Sequence, residues 1–254
     1  MKVFIFKKSG IISFLCYVLL ILTVALFSAD RVQTVMSVPN KALPIYSVET
    51  DKKQLAITFD AAWGADDTDE IIAVLKKHNA KATFFIVGEW AERYPESVKA
   101  FYDNGHSIAG HSYDHTLYTN LNQNELTDDL AMCNEILASV TGEWPSIMRV
   151  PSGDYDERVI KTIYSAGLYP IQWDVDSLDY TGISKEEIVE KVTSKVKNGS
   201  IVLFHNDVEN TPAALDEILT KLSNEGWIFV TVDELIFKEN FSLNHEGRQF
   251  ITKN

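Results

Sequence analysis

Cysteine is almost missing from this sequence. Cys16 and Cys133 are the only two, and they lie in stretches of opposite character, one in an uncharged apolar run and one in an amphipathic stretch. No intrachain disulfide is expected, and a hydrophobic core must hold the fold unaided. Basic residues are also scarce: 23 Lys and Arg stand against 36 Asp and Glu, a formal charge of −13. Like charges repel on approach, so a nucleic-acid or anionic-lipid partner is disfavoured. There is no Gly-x-Gly-x-x-Gly after a strand, which removes support for dinucleotide binding. Internal repeats and low-complexity tracts are absent. What remains is a chain of 254 residues, 46% apolar and 23% charged, the balance of a globular protein with a real core.

Long hydrophobic runs are lacking except at one place. Ile11 to Ala29 is uncharged, and Lys2, Lys7 and Lys8 precede it. Its length is near the ~20 residues that span a bilayer and exceeds the 7–15 of a signal-peptide core. A cut after Ala29 would put Phe27 where a small residue is wanted. Residues 1–30 therefore read as an uncleaved transmembrane anchor, with the lysines cytoplasmic and the domain outside; cleavage would make the protein secreted. Residues 31–50 read as a linker, 51–237 as the catalytic domain and 238–254 as a polar surface tail.

Within 51–237, short β-branched or aromatic runs alternate with amphipathic stretches. The runs are 55–59, 82–87, 106–110, 168–173, 200–204 and 227–232. In 127–140, Leu130, Cys133, Ile136, Leu137 and Val140 recur at helical spacing. Gly105, Gly167 and Gly226 close such stretches, as helix stops do. Alternation of this kind implies an α/β fold with a parallel sheet, since parallel neighbours need crossovers. The sheet is either open and doubly wound or a barrel, and in barrels chemistry sits where strands end.

The residues after the apolar runs form a coherent set: Asp60, then His111 and His115 in "HSYDH", Arg149 in "RVPSG", Asp174, Asp176 and Asp179 in "WDVDSLDY", and His205 in "LFH". Each alone has a bland reading, as a helix cap, a loop histidine or a structural ion pair. Together they suit metal-assisted hydrolysis of an amide or ester. Two imidazoles and a carboxylate are zinc-type ligands, a metal-bound water loses its proton near neutrality, and a separate histidine can protonate a leaving amine. An arginine beside a carboxylate keeps it ionised.

These motifs, in order, resemble those of the polysaccharide deacetylases of the NodB-homology type (carbohydrate esterase family 4), over roughly residues 50–236. The resemblance implies a distorted, incomplete (β/α) barrel. It further implies Asp60 as base, His111 and His115 as ligands of a divalent metal, most readily Zn²⁺, and Arg149 as the residue holding Asp60. His205 would be the general acid, supported by Asp176 or Asp179, and Ser152 a backbone oxyanion donor. Trp63, Trp173 and Tyr180 would line the substrate, an N-acetylated glycan such as peptidoglycan. "FDAAWG" together with the N-terminal run is most similar to the sporulation-type peptidoglycan deacetylases, which places the domain in the cell or forespore envelope.

One departure matters. The family's first motif carries a second aspartate as metal ligand, and here that position is Ala61. Asp66 or Asp67 could reach back in its place, although both also read as the acidic start of a helix; or Asp60 or an extra water fills the gap and leaves weaker metal binding. The alternative is a lapsed deacetylase that binds envelope glycan without turnover.

Overall fold

The computed structural model describes residues 42–252. The expected membrane run, Ile11–Ala29, lies outside the described residues, and no described helix is long and apolar enough to cross a membrane. In chain order the elements are β1 (Ser47–Val48), β2 (Gln54–Ala61), α1 (Thr68–Lys77), β3 (Ala82–Ile86), α2 (Gly88–Arg93), α3 (Pro95–Asp103) and β4 (Ser107–Gly110). There follow α4 (Gln123–Thr141), β5 (Ile147–Met148), α5 (Glu157–Ser165), β6 (Tyr169–Pro170), β7 (Val175–Asp176), α6 (Lys185–Thr193) and β8 (Ile201–His205). The chain ends with α7 (Thr211–Asn224), β9 (Ile228–Val230), α8 (Val232–Leu235), β10 (Phe241–Leu243) and β11 (Arg248–Ile251).

Eight strands form a parallel sheet in the order β6-β5-β4-β3-β2-β8-β7, with β9 paired to the start of β2. The long central strands are apolar on both faces because helices or the opposite wall cover both, which is why "LAITF" and "IVLF" lack polar alternation. Two buried clusters result. One centres on Phe59, Phe84 and Phe204 with helices α1, α3 and α7; the other joins Phe85, Met148, Ile160 and Ile171 on the opposite face. Phe84 stacks between Phe59, at 4.9 Å, and Phe101, at 3.7 Å. The sheet is a curled, partly closed parallel array; the alternation implied the parallel sheet, and the family resemblance the incomplete closure. β5 and β7 are two residues each, too short to leave a hydrophobic period in the sequence.

Two of the expected boundaries move. The linker assigned to 31–50 contributes structure: Ile45 and Val48 are buried, and the Ile45 N–H donates to the Pro170 carbonyl at 2.8 Å. The tail assigned to 238–254 contains β10 and β11, and β11 pairs in parallel with β1. Gln249 of β11 is buried and exchanges side-chain hydrogen bonds with the backbone of Phe237. The polar composition misled because a buried amide satisfied by backbone partners reads in sequence like a surface residue.

Candidate active site

The ends of β2, β4, β5, β7 and β8 meet around one cavity of about 290 Å³, lined by Asp60, Ala62, Trp63, His111, His115, Ser152, Trp173, Asp176, Tyr180, Leu203 and His205. Asp60 and His205 are register partners on adjacent parallel strands, so their side chains leave the same face of the sheet. The loops that carry the set are strained. Ser112, His115, Ser152, Leu178 and Asp207 all adopt positive φ without being glycine, at about 1–2 kcal/mol each. Such outliers persist where the surrounding structure holds them in place.

Asp60 is buried, and its Oδ1 accepts from Arg149 Nη1 at 2.6 Å. Arg149 is wholly buried; its Nη2 donates to Thr58 Oγ1 at 3.0 Å and to the Gln172 carbonyl at 3.2 Å, and its guanidinium lies 4.0 Å from the Phe85 ring centroid. Burial pushes the Asp60 carboxyl upward, but the charges of Arg149, His111 and His205 outweigh it and hold Asp60 below the usual carboxylate range. Asp60 is therefore an ionised acceptor with one oxygen committed.

The His111 Nδ1–H donates to the Arg149 carbonyl at 2.9 Å, which leaves Nε2 as the lone-pair nitrogen, 3.5 Å from Asp60 Oδ2. The His115 ring lies edge-on to it, centroids 5.1 Å apart. Burial lowers both, His111 to about 4, so both are neutral imidazoles near pH 7. The loop between them is pinned from α4, where Asp129 accepts the Tyr113 N–H at 3.1 and 3.2 Å and the Tyr118 hydroxyl at 2.6 Å.

His205 is poised the other way. Its Nδ1 lies 2.8 Å from Asp179 Oδ1, while Asp179 Oδ2 accepts the His205 N–H and the Thr211 hydroxyl. Burial alone would lower the imidazole, yet the hydrogen bond and charge of Asp179, with Asp60 and Asp176, raise it above its ordinary value. Asp176 lines the cavity and accepts the Leu178 N–H at 2.9 Å, fixing the turn that bears Asp179 and Tyr180. Tyr180 stands edge-on to His205 at 4.8 Å. In the turn 151–154, the Gly153 and Asp154 N–H groups bond back to Val150 and Pro151. The Ser152 N–H has no partner among the described residues, and Ser152 lines the cavity.

The residues expected at the site from sequence line the cavity or bond directly to those that do, except Asp66, Asp67 and Asp174. Asp66 is exposed, and neither it nor Asp67 lines the cavity. Asp67 is the N-cap residue of α1 but makes no capping bond; its Oδ2 instead accepts the Asp207 N–H at 2.7 Å. Burial, with Asp207 nearby, raises Asp67 to about 6. The replacement of the missing ligand by either aspartate is thus not what the structure builds. Asp174, also noted in the sequence, binds Ser200 and the Ile201 N–H and serves the strand edge. Sequence reasoning missed Asp129, Asn206 and Asp207; the "HND" after β8 was the available signal for the last two.

The donors present fit a divalent cation only in part. His111 Nε2 and His115 offer two imidazoles, Ala61 is buried in the apolar core, and no group of three His, Cys, Asp or Glu side chains able to hold a metal occurs among the described residues. Catalytic zinc centres hold their ion with three protein ligands.

Comparison with known proteins agrees with the geometry. The polysaccharide deacetylase family profile matches residues 47–171. The peptidoglycan-N-acetylglucosamine deacetylase PgdA of Listeria monocytogenes is 35% identical over 201 residues, 79% of this chain but 42% of its own length. A peptidoglycan-N-acetylglucosamine deacetylase of Bacillus cereus is 34% identical over 196 residues, 75% of this chain and 92% of its own. Among solved structures, a CE4 family pseudoenzyme of Bacillus anthracis superposes with a TM-score of 0.74 at 28% identity, over 84% of this chain and 74% of that one. A mutant of that pseudoenzyme, described as having restored enzymatic activity, matches with the same TM-score at 31% identity, over 78% and 72%.

Proposed function

We propose, since the chain belongs to the polysaccharide deacetylase family, that it hydrolyses the acetamide of an N-acetylated amino sugar in a cell-wall glycan. One observation carries this reading: Asp60 and His205, paired on adjacent strands, are each ion-paired to a different buried partner, the base to Arg149 and the acid to Asp179, which biases them in opposite directions. Asp60 takes a proton from a water that attacks the acetamide carbonyl. The Ser152 N–H donates to the oxygen on which charge develops. His205 Nε2–H then gives its proton to the departing amine, so that acetate and a free amino sugar leave. Asp60 and His205 must start in opposite states for this sequence, and the neighbouring charges favour those states near neutral pH. Trp173 and Tyr180 supply walls against the sugar.

Zn²⁺ is the cation expected from the sequence. Bound by His111 and His115 it would have two protein ligands, and the steps above are those of the chain's own side chains. The domain's placement outside the cytoplasm, held by a membrane anchor in the cell or forespore envelope, is part of this proposal and rests on the run Ile11–Ala29 with its preceding lysines.

A second reading, glycan binding without turnover, is favoured by Ala61 and by the likeness to a pseudoenzyme. Acetate release from N-acetylglucosamine oligomers and from peptidoglycan glycan strands separates the two. Release that is lost in Asp60→Asn and in His205→Ala, with the fold intact by circular dichroism, supports catalysis. Saturable binding with no acetate, unaffected by chelators, supports the second reading. Titration of chelator-treated protein with Zn²⁺ in a calorimeter should show heat that disappears in His111→Ala and is unchanged in Asp66→Ala.

A further inference from the structure

A second cavity lies at the other end of the sheet. Ser107 opens β4 and Ser146 precedes β5, so they mark the strand ends opposite those that carry His111 and Arg149. Both line a groove of about 780 Å³ that shares no lining residue with the catalytic cavity. Its floor joins distant segments: Asp233 of α8 accepts from Ser107 Oγ at 2.6 Å, from Ser146 Oγ at 2.5 Å and from Lys238 Nζ at 3.1 Å. His106, only 5% exposed, lines both this groove and an adjoining hollow of about 240 Å³ beside Lys81. Its Nδ1 accepts the Ala82 N–H at 3.4 Å, and burial, with Lys81 nearby, lowers the imidazole to about 4. The ring is thus neutral near pH 7 with its proton on Nε2, a donor that has no partner among the described residues. Such a donor requires an acceptor from whatever fills the groove.

One wall of the groove is aromatic and its rim is acidic. Trp144 lines it and is 61% exposed, too open for its surface to serve the core. Its loop is nonetheless fixed. Gly142 ends α4 in the left-handed conformation, the Glu143 N–H donates to Thr141 Oγ1 at 3.2 Å, and Pro145 restricts the backbone of the residue before it. An indole held in this way loses little conformational entropy when a ligand covers it. Of the carboxylates around the groove, Asp103 is ion-paired with Lys99 and Asp233 with Lys238. Glu143 and Glu234 also line it and have no cationic partner among the described residues. The surplus charge is negative, which disfavours an anion and favours a ligand carrying positive charge.

We infer that this groove is a separate binding site for a de-N-acetylated amino sugar, whose ring packs on Trp144, whose ammonium is drawn to Glu143 and Glu234, and whose hydroxyls accept from His106 Nε2. The C–H face of a pyranose covers the face of an indole, and a hydroxyl oxygen is an acceptor that a neutral imidazole N–H can use. A ring of this kind is what the proposed reaction leaves behind. The ligand's place as a product therefore rests on that reading, and its binding does not. The site holds the domain on glycan already deacetylated, at the end of the sheet away from the chemistry.

The test is binding of a β-1,4-linked glucosamine tetramer to the full chain, by calorimetry at mildly acidic pH where the sugar amines are protonated. Wild type should bind it, and added salt should weaken the binding. Trp144→Ala should weaken it about 3- to 10-fold, the size of one lost aromatic contact, and Trp144→Phe should recover most of the loss. Glu143→Gln should weaken it about 2- to 5-fold and reduce its dependence on salt. Asp60→Asn, in the other cavity, should leave it unchanged; a loss there as large as in Trp144→Ala would put the tetramer in the catalytic cavity and overturn the site. Equal affinity in wild type and Trp144→Ala, or no binding by wild type, would overturn it also. The N-acetylated tetramer, measured in the Asp60→Asn background to prevent turnover, should lose less on Trp144→Ala, and an equal loss would overturn the assignment of the ligand as an ammonium sugar. The glucosamine tetramer carries no acetyl group, so acetate release from peptidoglycan judges the proposed function separately from all these outcomes.

Discussion

Asp60 and His205 sit side by side in the sheet, and what separates their chemistry is which neighbour each touches. The alkaline limb of activity should belong to His205, whose protonated form is held above its ordinary range by Asp179 despite burial. Activity is present while His205 carries its proton and is lost as pH rises through its raised value. Asp179→Asn removes the charge that holds the proton, so the alkaline limb of a pH–rate profile should move to lower pH. An unmoved limb would assign it to another group. Asp60 has the opposite sign: its lowered value makes its contribution to stability complete above the ordinary carboxylate range and lost as pH falls through the folded value. Its partner is the more demanding residue. Arg149→Met leaves Asp60 buried without a counter-charge and should cost about 3–5 kcal/mol in urea unfolding, because breaking a buried pair strands the remaining charge. Asp60→Asn should cost less, since the amide oxygen still accepts from Arg149.

At the scale of single elements, the site depends on loops that leave strand ends in unfavourable conformations and are tied down from helices. The loop 111–115 carries two left-handed residues, Ser112 and His115, and α4 compensates through Asp129. That carboxylate accepts one backbone N–H and one hydroxyl, and an amide at the same place would turn a donor toward one of them. Asp129→Asn should therefore cost about 1–3 kcal/mol in stability. It should also lower the turnover rate more than it weakens substrate binding, since His115 would be less well placed. The helical face of α4 was plain from its Leu130, Cys133 and Leu137 spacing. The role of Asp129 was hidden, because an aspartate on a helix reads as solvent-facing until the loop that it serves is placed above it.

Across the whole molecule, the two ends of the described chain close the structure together. β1 pairs with β11, Phe241 packs near Tyr169 with ring centroids 6.1 Å apart, and the Tyr169 hydroxyl donates to the Lys238 carbonyl at 2.6 Å. Ending the chain at Phe237 should destabilise the domain by at least about 3 kcal/mol, the cost of emptying a buried aromatic position, read as a lower urea midpoint. A tail that merely covered the surface would leave the midpoint where it is. By itself the sequence determined the parallel α/β plan and the order of the site residues, because hydrophobic period and strand-end chemistry are local properties of the chain. The long central strands and the motif residues after them were legible for that reason. Tertiary structure alone decided what depends on distant partners: that 241–243 and 248–251 are strands and not tail, that Asp67 serves Asp207 and not the histidines, and that the Gly64 loop is held by Trp90 of α2 and by Asn206 and Asp207 just after β8. Each of these rests on hydrogen bonds between residues far apart in sequence, whose geometry no local pattern of residue types encodes.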